Sequence, residues 1–141
     1  MKKYIFPLLI AIFTAIQTFA YDFSAVSPSE HILYYDIISQ EDKTVNVTYE
    51  KNTNEPYENP PVGDLIIPGT VEYDGETYTV IGVGKRYDRP FYNCTKLTSV
   101  TIQEGVKVIG DQAFQSCTKL KNVVLPNSLV LGWGHVISSG Q

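Results

Sequence analysis

The chain has 141 residues, of which 43% are hydrophobic and 18% are charged. This apolar content is sufficient for one domain with a packed core and argues against a disordered chain. The formal net charge of −4 at pH 7 disfavours nucleic acids and anionic membrane surfaces as partners.

The first twenty residues have the pattern of a secretory signal peptide. Lys2 and Lys3 precede an apolar run of thirteen residues from Tyr4 to Ile16, and the small residues Thr18 and Ala20 suit cleavage after position 20. The run is shorter than the roughly 20 residues that span a bilayer, which favours cleavage over a transmembrane anchor. Cleavage leaves nine basic and fifteen acidic residues, a formal charge of −6. We therefore expect a secreted or cell-surface protein with no membrane insertion after cleavage.

Residues 21–63 are predicted to form an N-terminal cap and a loop. Residues 31–39 are rich in Ile, Leu and Tyr, and residues 44–50 alternate between apolar and polar side chains, which predicts the two strands of a β-hairpin. Such a hairpin would shield the open end of the repeats that follow, because a terminal unit has no neighbour to cover it. Residues 51–63 contain three prolines and are predicted to be a surface loop.

The stretch from residue 91 to residue 131 contains one apolar pattern twice, with a period of 23 residues, and the letters CTKL recur in both copies. Phe91, Cys94, Leu97, Val100, Ile102 and Val106 correspond to Phe114, Cys117, Leu120, Val123, Leu125 and Leu129. A fixed period of this length indicates a leucine-rich-repeat solenoid, in which each unit is a strand with a return segment.

This repeat resembles the BspA-like leucine-rich repeats of secreted and surface proteins. The positions of the family unit are filled by Leu97, Val100, Ile102, Val106, Ile109, Gly110, Ala113, Phe114 and Cys117. The proline of the unit is replaced by Gln103 and returns as Pro126 in the next copy. An earlier copy contains Leu65, Ile67, Pro68, Val71, Ile81, Gly82 and Phe91 in the same order, with seven extra residues before Ile81 and five after Gly82.

The predicted fold is mainly β with short helical turns: a short leucine-rich-repeat solenoid of about three rungs, preceded by the N-terminal β-hairpin cap. The predicted boundaries are a signal peptide at 1–20, the cap and loop at 21–63, and the repeats at 64–141, the last of them incomplete. Strands are expected at 99–102 and 122–125, and a helical turn at 111–117. Alternation directs Val100, Ile102, Val123 and Leu125 inward, and it leaves Ser99, Thr101, Asn122 and Val124 on the concave face as candidate binding residues.

Both insertions of the first copy have interpretable sequences. Asp74 and Gly75 supply the positive φ angles of a type I′ turn, which predicts a second hairpin around them. The other insertion contains Lys85, Arg86, Tyr87 and Arg89. These residues either hold an acidic group or form a solvated loop.

The C-terminus departs from the repeat. Leu131 and Gly132 replace the Ile-Gly pair with one residue deleted, and nothing replaces the phenylalanine and the cysteine. The final rung is then open, covered by Trp133, Val136 and Ile137, or completed by a partner. Truncation or a shifted reading frame would also explain this ending.

Cys94 and Cys117 occupy equivalent positions of successive units and are expected to stack as buried thiols. A disulfide is the alternative if their Cα atoms approach to about 5.5 Å. Two thiols are too few for a metal site, and His31 and His135 belong to opposite ends of the chain. No cofactor is predicted.

The resemblance implies adhesion, because relatives of this family are associated with binding to host matrix glycoproteins and to other cells. We therefore expect a secreted, non-enzymatic binding module that contacts protein or glycan partners on host or neighbouring cells. One rival hypothesis is a glycan-active enzyme that uses Asp74, Glu76 or Asp88. Another is a fragment of a longer repeat protein whose other rungs carry the binding site.

Overall fold

The computed structural model describes residues 19–85 and 87–132, and these residues form β-strands and turns without a helix. The signal-peptide prediction therefore lies almost wholly outside the described residues, as do Arg86, Trp133, Val136 and Ile137. The strands are β1 (Phe23–Val26), β2 (Ile32–Ser39), β3 (Thr44–Thr48), β4 (Gly63–Ile67), β5 (Thr70–Tyr73), β6 (Glu76–Val83), β7 (Leu97–Ile102), β8 (Val108–Ile109), β9 (Asn122–Val124) and β10 (Leu131–Gly132).

A seven-stranded sheet runs in the order β1-β2-β3-β6-β8-β10, with β5 on part of β6. The strands β1, β2 and β3 are antiparallel, which confirms the predicted hairpin of β2 and β3. The strands β3, β6, β8 and β10 are parallel. The N-terminal hairpin thus extends the sheet of the repeats by edge pairing between β3 and β6.

The strand β6 joins the N-terminal half of the chain to the repeats. Its first half pairs with β5 around Asp74 and Gly75, whose φ angles of 50° and 75° are those of the predicted type I′ turn. Its second half pairs with β8 on the same edge, while β3 occupies the other edge. One eight-residue strand therefore takes part in three strand pairs.

A separate three-stranded sheet has the order β4-β7-β9, all parallel. Leu65 pairs with Val100, and Val100 pairs with Val123. The steps of 35 and 23 residues are those expected for the interrupted copy and the regular copy. The two insertions therefore leave a constant register from Asp64 to Ile67, after a shift between Gly63 and Asp64.

The predicted alignment of the Ile-Gly pair is wrong in the first copy. Val83 pairs with Ile109, so that Gly84 rather than Gly82 corresponds to Gly110. The register between β6 and β8 therefore moves the Ile-Gly position of the first copy by two residues, from 81–82 to 83–84. The extra residues thus number nine before Val83 and three after it.

The deletion predicted in the last copy is also wrong. Leu131 pairs with Val108 and Gly132 pairs with Ile109, which preserves the period of 23 without a missing residue.

The core between the two sheets contains a column of stacked rings. Phe91 and Phe114 are fully buried and nearly parallel, with ring centroids 5.1 Å apart, and Tyr57 continues the column 5.7 Å from Phe91. Tyr57 belongs to the segment predicted as a surface loop, and that prediction is wrong at this residue, which is buried. Leu125 is the opposite case: it was expected inside and is 51% exposed.

The return segments consist of turns, where one helical turn was predicted for 111–117. The same hydrogen bonds occur in both copies, from the amide of Cys94 to the carbonyl of Phe91 and from the amide of Cys117 to the carbonyl of Phe114, each 3.3 Å long. Within the described ranges there is no helix long and apolar enough to cross a membrane.

Candidate functional site

The outward face of the three-stranded sheet presents two rows of side chains. Strand register aligns Asp64 with Ser99 and Asn122 in a polar row. The second row aligns Ile66 with Thr101 and Val124. We call these six residues the sheet face. The structure thus brings together the four residues predicted from the sequence and adds Asp64 and Ile66, which lie 35 residues before Ser99 and Thr101 and follow from the same offset as Leu65 and Val100.

A carboxylate organises the polar row of the sheet face. The Ser99 hydroxyl donates a hydrogen bond to Asp64 Oδ1 at 2.6 Å, and the Thr98 hydroxyl donates to the same oxygen at 3.3 Å. The short bond is of the charge-assisted type, because a carboxylate is the acceptor. The row therefore offers a fixed carboxylate and the exposed Asn122 amide, with Ser99 between them.

The second row leads to an apolar end of the sheet face. Val124 is 57% exposed, and Leu125 follows it. A hollow of about 510 Å³ lies beside them where the three strands end, with Gly69 and Gln103 in its lining. The sheet face therefore combines polar groups with an exposed aliphatic surface, which is the composition of a protein contact rather than of an enclosed reaction centre.

The predicted loop cluster is divided between separate interactions. The Lys85 ammonium lies 3.5 Å from the Asp36 carboxylate, and the Arg89 guanidinium lies over the Tyr92 ring, 5.1 Å from its centroid. Burial raises the pKa of Asp36 above its ordinary value, and the nearby Lys85 opposes that rise. Tyr87 is 77% exposed. The described cations thus face different partners and do not form one anion site.

A cleft of about 410 Å³ opens next to these loops. Its walls are the segment that follows β3 and the segment that precedes the Phe91 turn. We call it the loop cleft, and it is lined by Tyr49, Asn52, Thr53, Asn54, Tyr87, Asp88, Arg89 and Tyr92. Sequence analysis identified Tyr87 and Arg89 but not the other wall, because residues 49–54 and 87–92 are far apart in the chain and only the pairing of β3 with β6 brings them together.

Cys94 and Cys117 are both free and buried. The Cys117 thiol donates a hydrogen bond to the carbonyl oxygen of Phe91, with a sulfur to oxygen distance of 3.1 Å. A hydrogen bond with Cys117, together with burial, raises the pKa of Cys94. This environment keeps the Cys94 thiol protonated and disfavours it as a nucleophile.

The carboxylates of the enzyme hypothesis are held in different places. Asp74 lies in the turn between β5 and β6, and Glu76 forms an ion pair with Lys43. Asp88 lines the loop cleft and accepts a hydrogen bond from the Lys85 amide at 3.2 Å. Among the described residues, no group of three or more His, Cys, Asp or Glu could hold a metal ion.

Residues 84–131 match the family model described as the BspA type leucine-rich repeat region, a description that refers to six copies. The chain carries a BspA-type leucine-rich repeat region. The match covers both regular copies, including Phe91, Phe114 and the two cysteines. No curated protein shows significant similarity to the chain.

Solved structures share the fold of this chain. A leucine-rich repeat protein from Bacteroides ovatus is 28% identical over 77% of this chain and 24% of its own, with a TM-score of 0.58. The T. pallidum leucine-rich repeat protein is 24% identical over 74% of this chain and 41% of its own, with a TM-score of 0.52. A leucine-rich repeat protein from Bacteroides capillosus is 20% identical over 71% of this chain and 82% of its own, also with a TM-score of 0.52. The chain thus spans about a quarter of the B. ovatus protein.

Proposed function

We propose that the protein is a secreted or cell-surface adhesion module that binds protein or glycan partners on host or neighbouring cells through the sheet face. The observation that carries this proposal is the alignment of three parallel strands, which places Asp64, Ser99 and Asn122 in one row and Ile66, Thr101 and Val124 in the next. Side-by-side strands create an extended surface without a deep pocket, and such surfaces suit macromolecular partners.

Two further observations support this proposal. Leucine-rich-repeat families are typically non-enzymatic, and residues 84–131 match one of them. The sequence of residues 1–20 supports export, and the acidic composition argues against nucleic acid as the partner.

The sheet face alone is smaller than the area that a stable protein interface buries. Three strands about 4.8 Å apart and about five residues long give a footprint of roughly 14 Å by 17 Å. A stable interface buries about 800 Å² on each partner, which is larger than this footprint. We therefore expect a bound partner to cover the hollow beside Val124 and Leu125 as well.

The proposal is tested by binding of the purified protein to a panel of extracellular-matrix glycoproteins and glycans, measured by surface plasmon resonance. In the variants Thr101→Arg and Asn122→Arg, a long cation replaces a smaller side chain of the sheet face. We expect the affinity for a bound partner to fall by about tenfold or more, because a residue in the centre of an interface is desolvated on binding.

Ser24→Arg is the matched control, because Ser24 is an exposed residue of β1 in the other sheet. This variant should bind like the unchanged protein, and circular dichroism should show all three variants folded. The absence of saturable binding across the panel, or equal binding by the sheet-face variants and the control, would contradict the proposal.

A further inference from the structure

The loop cleft shares no residue with the sheet face, and we propose that it is a second site, which binds a neutral saccharide. Its lining contains three tyrosines, two asparagines and the pair Asp88 and Arg89. Its volume of about 410 Å³ falls within the range of roughly 300–1,000 Å³ that is typical of small-molecule sites. The proposal is independent of the partner that the sheet face binds.

The lining residues match the chemistry of a sugar ring. Saccharides have apolar C–H faces, which pack on aromatic rings, and hydroxyl groups, which need donors and acceptors at the edge of those rings. Tyr49, Tyr87 and Tyr92 supply rings, and Asn52 and Asn54 supply amides with both donors and acceptors. A purely apolar ligand would leave these amides without partners, which is unfavourable.

The charges in the loop cleft favour a neutral ligand over an acidic one. The lining contains one carboxylate, Asp88, and one guanidinium, Arg89, so its formal charges cancel. Lys85, the nearest other described cation in the sequence, is paired with Asp36. The chain as a whole is acidic, which further disfavours an anionic ligand.

Hydrogen bonds within each wall hold the loop cleft open before a ligand binds. On one wall, the Thr53 hydroxyl donates to the Glu55 carbonyl at 2.8 Å, and the Lys51 amide donates to the Pro56 carbonyl at 3.0 Å. On the other wall, the Asp88 amide donates to the Lys85 carbonyl and the Tyr92 amide to the Arg89 carbonyl, both at 3.1 Å. A preformed site loses less conformational entropy on binding, so even weak contacts with a sugar give measurable affinity.

The experiment is a titration of the isotope-labelled protein with neutral hexasaccharides, namely maltohexaose, cellohexaose, laminarihexaose, xylohexaose and mannohexaose, followed by amide chemical shifts. Hexagalacturonic acid is the acidic comparison. We expect at least one neutral oligosaccharide to bind saturably and to shift the amides of residues 49–54 and 87–92. We expect Tyr87→Ala to weaken that binding by roughly threefold to tenfold, since one ring contact is lost.

Two variants make the assignment specific. Tyr87→Phe keeps the ring and should bind within about twofold of the unchanged protein, which is less than the effect of one ring contact. Ser24→Arg changes an exposed residue of β1 that belongs to neither candidate site, and it should leave saccharide binding unchanged. The proposal is overturned if no neutral hexasaccharide binds, if only the acidic one binds, or if folded Tyr87→Ala and Asn52→Ala variants both bind like the unchanged protein. Loss of binding in Asn122→Arg alone would assign the saccharide to the sheet face and would also overturn it.

Discussion

At the scale of single residues, two buried tyrosines differ in whether their hydroxyl groups are satisfied. Tyr35 is fully buried, and its hydroxyl has no hydrogen-bond partner among the described residues. Tyr57 is 5% exposed, and its hydroxyl donates to the Thr48 carbonyl at 3.4 Å. Burial raises the pKa of both phenols, so both are neutral at pH 7. The two positions therefore differ in hydrogen bonding and not in charge.

We predict that Tyr35→Phe raises the free energy of unfolding by about 1 kcal/mol, because an unpaired buried hydroxyl is costly and its removal leaves the ring packing intact. Tyr57→Phe is the matched control and should lower the free energy of unfolding by roughly 0.5–1 kcal/mol, since it removes a hydrogen bond. Urea unfolding at pH 7 measures both values. A loss of stability in Tyr35→Phe would show that its hydroxyl has a partner in solution.

Asn93 and Ser116 occupy the same left-handed position of successive turns. Their φ angles are 60° and 64°, and each residue directly precedes a buried cysteine. Asparagine tolerates this conformation better than serine does. We predict that Ser116→Asn raises the free energy of unfolding by about 0.5 kcal/mol and that Asn93→Ser lowers it by a similar amount. Thermal unfolding of both variants tests the sign, and changes in the same direction would contradict the prediction.

At the scale of elements, Glu104 links two successive repeats. Its carboxylate accepts hydrogen bonds from the amides of Asn127 at 2.7 Å and Ser128 at 3.0 Å. The Ser128 hydroxyl in turn accepts from the Gly105 amide and donates to the Val106 carbonyl. Glu104 and Ser128 thus satisfy backbone groups of both repeats in the turns that follow β7 and β9.

We predict that Glu104→Ala lowers the free energy of unfolding by about 1 kcal/mol, because two backbone amides lose a charged acceptor and become exposed to water instead. Glu41→Ala is the control, because Glu41 is an exposed carboxylate in the turn between β2 and β3. We expect the control to change the free energy by less than about 0.5 kcal/mol. Equal effects of the two substitutions in denaturant unfolding would refute the role of Glu104.

The elements also show how far sequence reasoning extends. The hairpin at Asp74 and Gly75 was predictable, because a type I′ turn requires particular residues at adjacent positions. The alignment of the first copy was not, because the letters VIGVG offer two apolar-glycine pairs. Which of the two pairs corresponds to Ile109 and Gly110 depends on the tertiary structure. A Cβ atom at Gly82 would lie 2.6 Å from the Asn46 side chain, and Gly84 adopts a φ of 71°.

The two candidate sites also differ in how far the sequence alone predicts them. The sheet face follows from strand alternation and a constant offset between repeats, so Ser99 and Asn122 could be predicted. The loop cleft depends on two segments that only tertiary pairing brings together, so Tyr49 and Asn52 could not. Tyr57 was missed because prolines and polar residues surround it, although its ring stacks on Phe91.

At the scale of the whole molecule, β6 should make the N-terminal hairpin and the repeats one cooperative unit. The Gly84 amide donates to the Val47 carbonyl in β3 at 2.8 Å, and the Gly110 amide donates to the Val83 carbonyl at 2.9 Å. Both hydrogen bonds are made at the C-terminal end of β6, by Val83 and by Gly84, which follows it. Local opening of one half would therefore expose the edge of the other.

We predict that the amides of Gly84 and Gly110 exchange hydrogen with the same free energy of opening, equal to that of global unfolding. The Thr53 amide is the control, because it donates to the Lys51 carbonyl within an exposed loop and should exchange by local opening. Native-state hydrogen exchange measures all three. A much lower value for Gly84 than for Gly110 would show that the hairpin unfolds separately from the repeats.

The constant register of β4, β7 and β9 has a consequence for how this protein could diversify. The first copy contains twelve more residues than the second, yet Leu65 and Val100 pair as Val100 and Val123 do. Three of those residues fall between Val83 and Phe91, in the segment that forms one wall of the loop cleft. Mutation, lengthening or exchange of that segment would change the lining of the loop cleft while the pairing of β4, β7 and β9 stayed the same. Specificity could then change rapidly among relatives whose scaffolds hardly differ, and the segment is a natural position for grafting foreign loops.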